Sequence, residues 1–320
     1  MGERIDFPKN YELYLRKAVH KFQEGNMVEA CTYFEEAYAI KQESSINAMY
    51  VSALFQLERY KEAQEIAEDK LELYESDDSL YSLYTTILIK NHSFKEAELI
   101  IQRKLSQLNQ TANKEVWHTA KYVLEHEQNR HKQNEKKRNQ ELLKEILAMG
   151  DKSFEHQAAL IKQMQEMSNE WYTLGARSVL RNPFVNEIVK TTVLEHLVRE
   201  GVTEEFEIYW FDQRRFVVPA DQSSLEENKR FKEVVRLLKE KFEDDNPTMY
   251  QALLQEVNLH FLMLYPYIEE VVTDASKWLG TCFNQYDAYF LNLVENDPDN
   301  QIMKTWIQRL NEEIAAMMME

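Results

Sequence analysis

Leu57-Glu58-Arg59-Tyr60-Lys61-Glu62-Ala63 decides the fold, because the chain echoes it on both sides. Met27-Val28-Glu29-Ala30 lies upstream and Phe94-Lys95-Glu96-Ala97 downstream, with the three alanines 33 and 34 residues apart. Each string follows a polar corner: Glu24-Gly25-Asn26, Leu57-Glu58-Arg59 or Asn91-His92-Ser93. Each opens a run with large residues at helical spacing. A period of about 34 residues predicts stacked helix–turn–helix units. The large residue (Met27, Tyr60, Phe94) plugs the turn between paired helices. The alanine lets the second helix approach the first, where a bulkier side chain would push the pair apart.

These strings resemble the tetratricopeptide repeat. The resemblance implies units beginning near Tyr11, Ser44 and Asp78. Tyr50, Val51 and Leu54 then take the packing positions of the second unit's first helix, and Tyr81, Tyr84, Thr85 and Leu88 those of the third. The first unit departs from the pattern, with Lys17 and Lys21 where the family keeps apolar residues, while Ala18 and Gly25 fit. A fourth helix from about Lys114, with Trp117 and Tyr122 as core, lacks the Glu-Ala corner and reads as a cap.

The resemblance also implies an inner groove lined by the first helix of each unit. The twelfth positions are Phe22, Phe55 and Ile89, and the thirteenth are Gln23, Gln56 and Lys90. The ninth positions are Val19, Ser52 and Thr86, and the fifth are Leu15, Ala48 and Ser82. This is the expected partner-binding surface. A carboxylate-tail chaperone partner needs Lys and Asn where this chain has Leu15 and Val19, so that partner is not expected. The alternative is that the chain's own N-terminus or its 114–149 helices bury the Phe22–Phe55–Ile89 ladder.

The rest of the composition agrees with a mostly helical chain. Its 320 residues suggest about two domains. Six glycines and six prolines are too few for a sandwich or a Rossmann enzyme. A net charge of −17 repels phosphate backbones and anionic membrane surfaces. Residues 129–150 run against that trend, with six basic and three acidic side chains, and read as a basic connecting helix. The expected organisation is repeats over 1–128, the connector over 129–150, and a helical domain over 151–320. The N-terminus carries no apolar signal-peptide core, so a cytoplasmic location is expected. Cys31 and Cys282 read as two buried thiols without a disulfide.

In the second half, helical stripes cover about 152–167, 169–180 and 183–200, the last ended by Gly201. Phe206, Ile208 and Trp210 then alternate with Glu207, Tyr209 and Phe211, which predicts a strand. Asp212-Gln213-Arg214 reads as its turn and Arg215–Val218 as the return strand, with the Trp210 face seated on the 183–200 helix. Helices follow over about 225–242, 248–264, 267–293 and 300–317. The expectation is a chain over 60% helical with one β-hairpin near 205–219. The stretches NPFVNEIVKTTVLEHLVREGV (182–202), FVVPAD (216–221), NPTMYQALLQEVNLHFLMLYP (246–266) and Tyr286–Leu291 resemble a group of tetratricopeptide-repeat proteins of Gram-positive bacteria. That resemblance implies architecture and carries over no catalytic residue.

Candidate chemistry is sparse. His126-Glu127 and His131 are one residue too widely spaced for a zinc-binding HExxH, whose histidines must share one helix face. GxGxxG, GxxxxGK and GxSxG are absent. Glu243-Asp244-Asp245 and Asp297-Pro298-Asp299 lack calcium-loop spacing and read as caps and turns. The helix and hairpin over 183–219 suggest a nucleic-acid reader, yet they hold four basic groups against seven acidic ones. The favoured reading is a non-enzymatic interaction scaffold without cofactor or metal, whose partner is a protein or peptide. The alternative is a nucleic-acid-associated regulator reading through 183–219.

Overall fold

The computed structural model describes residues 8–107, 114–284, 290 and 299–319. The described residues are 79% helical, with sixteen α-helices and one two-stranded antiparallel sheet among them. The chain divides into two compact units, residues 1–136 and 137–320.

The first unit is a run of helix pairs: α1 (Pro8–Gln23) with α2 (Met27–Ile40), α3 (Ser44–Gln56) with α4 (Tyr60–Glu68), and α6 (Asp78–Lys90) with α7 (Phe94–Gln107). The short α5 (Leu71–Ser76) precedes α6, and α8 (Lys114–Leu147) follows α7. Ala30, Ala63 and Ala97 are fully buried, as close helix pairing requires.

The three corners share one backbone solution. Gly25, Glu58 and His92 all lie in the left-handed region, at φ 79°, 58° and 62°. The next residue closes the same long bond each time: Asn26 N to Lys21 O (3.0 Å), Arg59 N to Leu54 O (3.0 Å) and Ser93 N to Leu88 O (2.9 Å). This satisfies carbonyls that the ending helix leaves free. Gly25 adopts that conformation without a Cβ penalty, whereas Glu58 and His92 strain against it. Glu58→Gly is therefore expected to stabilise the first unit by about 0.5–1 kcal/mol, read by urea denaturation. A destabilised variant would show that the Glu58 side chain contributes more than its backbone costs.

The second unit of the array departs from one expectation. Its second helix breaks between α4 and α5 because the buried Asn47 claims the Ile66 carbonyl, Nδ2 to O at 2.6 Å. Lys70 N, which would otherwise complete the helical bond, turns to Ala67 O. Asn47 also donates to Tyr38 Oη (2.9 Å) and accepts from Tyr74 Oη (2.7 Å). Every polar atom of this buried amide finds work, which ties four helices together.

Two side chains assigned to the cap helix part company. Trp117 is fully buried, edge-on to Tyr81 with centroids 5.9 Å apart. Tyr122 is not core but 69% exposed. Five residues past Trp117, it lies on another face, and the buried stripe instead runs through Ala120, Leu124 and Glu127.

The second unit contains α9 (Phe154–Met164), α10 (Asn169–Arg181), α11 (Glu187–Arg199), strands β1 (Phe206–Trp210) and β2 (Gln213–Val217), α12 (Lys229–Phe242), α13 (Pro247–Leu264), α14 (Ile268–Val271), α15 (Ala275–Phe283) and α16 (Asp299–Met319). α11 starts at Glu187, four residues after the expected Pro183. Asn186 caps it, accepting from Ile188 N at 2.8 Å. The buried Gln157 holds the lead-in by accepting from Asn186 N (3.0 Å) and donating to Phe184 O (3.2 Å).

The hairpin turn is Phe211-Asp212, one residue earlier than read. Both lie at positive φ, 41° and 65°, and Trp210 pairs with Gln213. Paired left-handed residues suit a two-residue turn because their twist matches the strands. The Trp210 ring meets Phe211, Tyr267 and Trp306 at 5.1–5.2 Å, β1 lies along α10, and Lys190 of α11 reaches Tyr209 O of β1 at 2.6 Å. The expected helix over 267–293 is interrupted after Val271, and Asp274 caps α15 by accepting from Lys277 N at 2.8 Å. Asp297-Pro298 and most of Tyr286–Leu291 lie outside the described residues.

Candidate functional site

The ten groove positions come from α1, α3 and α6, the first helices of the three pairs. Their environments grade along the array. In α1, Leu15, Val19 and Phe22 are half-buried against the core and Gln23 is exposed. Phe22 meets Phe34 of α2 edge-on, with centroids 6.2 Å apart. In α3, Phe55 is half-buried 5.5 Å from the Tyr60 ring, and Gln56 is exposed. In α6, Ile89 is fully buried.

Three of the polar members are satisfied in place. Ser52 Oγ donates to Ala48 O (2.7 Å), and Thr86 Oγ1 donates to Ser82 O (2.8 Å). Lys90 Nζ donates to Glu127 Oε1 of α8 at 2.7 Å, and Arg130 reaches the other carboxylate oxygen at 2.9 Å. The Lys90 hydrogen bond holds the Glu127 carboxyl below its ordinary value. The last rung is thus engaged by α8, while Gln23 and Gln56 remain exposed. The surface has no uncompensated charge among these ten positions, in a chain of net charge −17.

Other sequence-flagged groups separate. His131 sits 4.7 Å from His92, centroid to centroid, while His126 stacks on Tyr122 at 6.3 Å. The five-residue spacing sends the two imidazoles apart. Among the described residues, no group of three or more His, Cys, Asp or Glu side chains could hold a metal.

Three of the four basic groups of the helix–hairpin have acidic partners. Arg215 makes a forked pair with Glu270 (2.7 and 2.6 Å), and Arg214 lies 3.7 Å from Glu207. Lys190 is buried, donating to Glu187 Oε1 (3.0 Å) and Tyr209 O (2.6 Å). The sequence offered no signal for that buried pair beyond its three-residue spacing. Among the described residues, no helix is long and apolar enough to cross a membrane.

The chain is 24% identical over 124 residues to the TPR repeat-containing protein YsoA of Bacillus subtilis. The match covers 39% of this chain and 37% of that relative. No family model matches the chain. No solved structure matches it. The likeness and the three paired helices with a common corner make the first unit a tetratricopeptide-like repeat array.

Proposed function

We propose that the first unit is a non-enzymatic interaction module of a cytoplasmic scaffold, binding a segment of a partner protein across α1 and α3. What supports this reading is that Phe22, Gln23, Phe55 and Gln56, at equivalent points of α1 and α3, are uncharged and at least partly exposed on a chain of net charge −17. Half-buried aromatics offer contact area without needing desolvation of charge, and the exposed amides offer both donors and acceptors. Ser52 and Thr86 are already bonded to their own helices, so they shape the floor more than they recognise sequence. A segment with apolar side chains and few charges suits such a strip.

The test is photo-crosslinking from Gln23 and Gln56, with Phe55→Asp as the disrupting change. The expected result is capture of the same partner from both positions, and at least about tenfold weaker binding in Phe55→Asp with unchanged circular dichroism. A Phe55→Asp protein that folds normally and captures every wild-type partner would remove the groove reading.

A further inference from the structure

Three helices of the second unit bring a thiol, an imidazole and an amide into line. His260 of α13 is fully buried. Its Nε2 lies 3.1 Å from Asn311 Oδ1 of α16, and its Nδ1 lies 3.9 Å from Cys282 Sγ of α15. An amide oxygen can only accept, so the Asn311 contact puts the imidazole proton on Nε2. Nδ1 is then the basic nitrogen, and it faces the Cys282 thiol. The Trp278 ring packs edge-on against the imidazole, with centroids 5.9 Å apart. Cys282 and Asn311 both line a cleft of about 500 Å³, with Thr281, Lys304, Gln308 and Glu312. A volume in the range of about 300–1,000 Å³ admits a small organic molecule.

We propose that Cys282 is a nucleophile that accepts an acyl group from a small activated ester in this cleft, with His260 as its base and Asn311 positioning the imidazole. The three groups stand in the relation that activates a nucleophile elsewhere: attacking atom, base, and a third group that orients the base. Sγ attacks the carbonyl carbon as the thiol proton passes to His260 Nδ1. The tetrahedral adduct then collapses, breaking the bond to the leaving oxygen, which takes the proton from Nδ1. The products are an S-acyl thioester on Cys282 and a free alcohol, with no oxidant or cofactor consumed.

The proton balance of the resting site sets the signature. Burial pushes the Cys282 thiol well up and the His260 imidazole down, so both rest neutral. Glu256, one turn before His260 on α13, adds to the rise of the thiol, while Lys304 and Glu312 of α16 face the cleft. An unassisted thiol reacts as thiolate, and its rate climbs with pH beyond about 9. A thiol bonded to a neutral imidazole is competent once that imidazole is unprotonated, so its rate levels off from about pH 7. Cys31 is the internal control: also buried, it has Arg59, Glu62 and Glu35 as its charged neighbours.

The full chain, folded, is treated with p-nitrophenyl acetate while released nitrophenol is followed and the labelled peptide is identified by mass. The expected label is one acetyl on Cys282 and none on Cys31, at a rate that levels off from about pH 7. Cys282→Ser abolishes the label, and His260→Gln slows it about 100-fold. Asn311→Ala leaves the buried His260 Nε2 proton without its acceptor and so lowers the melting temperature modestly, and in the protein still folded at the assay temperature it slows labelling about tenfold and restores a climb with pH. An unlabelled Cys282 overturns the proposal. A rate that climbs past about pH 9 alike in wild type and Asn311→Ala also overturns it.

Discussion

Lys190→Met is expected to cost the second unit about 3–5 kcal/mol at neutral pH, and clearly less at pH 5. Lys190 is 1% exposed and reaches Glu187 Oε1 at 3.0 Å. Burial pushes the Glu187 carboxyl up and the Lys190 ammonium down, so each charge persists inside by virtue of the other. Removing the ammonium strands a buried carboxylate and leaves Tyr209 O without its donor. Glu187 then escapes the penalty by taking a proton. Its folded value lies above its unfolded value of about 4.3, so the folded variant binds the extra proton. Stability is therefore retained at low pH and lost as pH rises through the raised folded value. Melting curves at pH 8 and pH 5 read the difference, and Lys190→Met/Glu187→Leu should recover most of the loss. A deficit that is equal at both pH values would mean that the pair is not the source of the cost.

Trp210→Ala should remove about 3–5 kcal/mol from the same unit, which lowers its melting temperature by roughly 10 °C. The indole is 2% exposed, boxed by Phe211, Tyr267 and Trp306, with the Arg215 guanidinium 5.5 Å from its ring centre. Trp210 Nε1 makes no hydrogen bond among the described residues, so the contribution is packing. Trp210→Phe should therefore cost much less than the alanine change. Scanning calorimetry on both variants decides the matter. An unchanged melting temperature for Trp210→Ala would contradict the seat, and equal losses for the two variants would assign the effect to the indole nitrogen.

The helical pairs were legible because their signals are local. Met27, Tyr60 and Phe94 open α2, α4 and α7 at the expected residues, and Ser44 and Asp78 open α3 and α6. Asn246 caps α13 by accepting from Met249 N at 3.1 Å, with Pro247 in the first turn, and both signals are local. The misses have a different character. Tyr122 looked like core because it is aromatic, yet its angle around α8 is set by where α6 and α7 lie. The break after α4 answers to Asn47, a residue about twenty positions earlier in the chain. The hairpin turn moved because Phe211 is buried against Trp306, with centroids 5.0 Å apart, although Asp212-Gln213-Arg214 has the more turn-like composition.

The candidate surface divides in the same way. Repeat spacing alone placed Phe22, Phe55 and Ile89 at equivalent points of three equivalent helices, since a helix of known start fixes each angle around its axis. Exposure along that row was not local information. Ile89 is fully buried and Lys90 is spent on Glu127, because α8 follows the third pair, whereas Phe22 and Phe55 are only half-buried. In the second unit, the sequence marked Cys282 as a buried thiol, on a different helix from His260. Their approach to 3.9 Å, and the amide of Asn311 beyond them, depend on how α13, α15 and α16 pack. Periodicity within a segment is written in the order of its residues. Proximity across 22 and 51 residues is decided only when the helices meet, because many pairings of amphipathic faces bury similar apolar area.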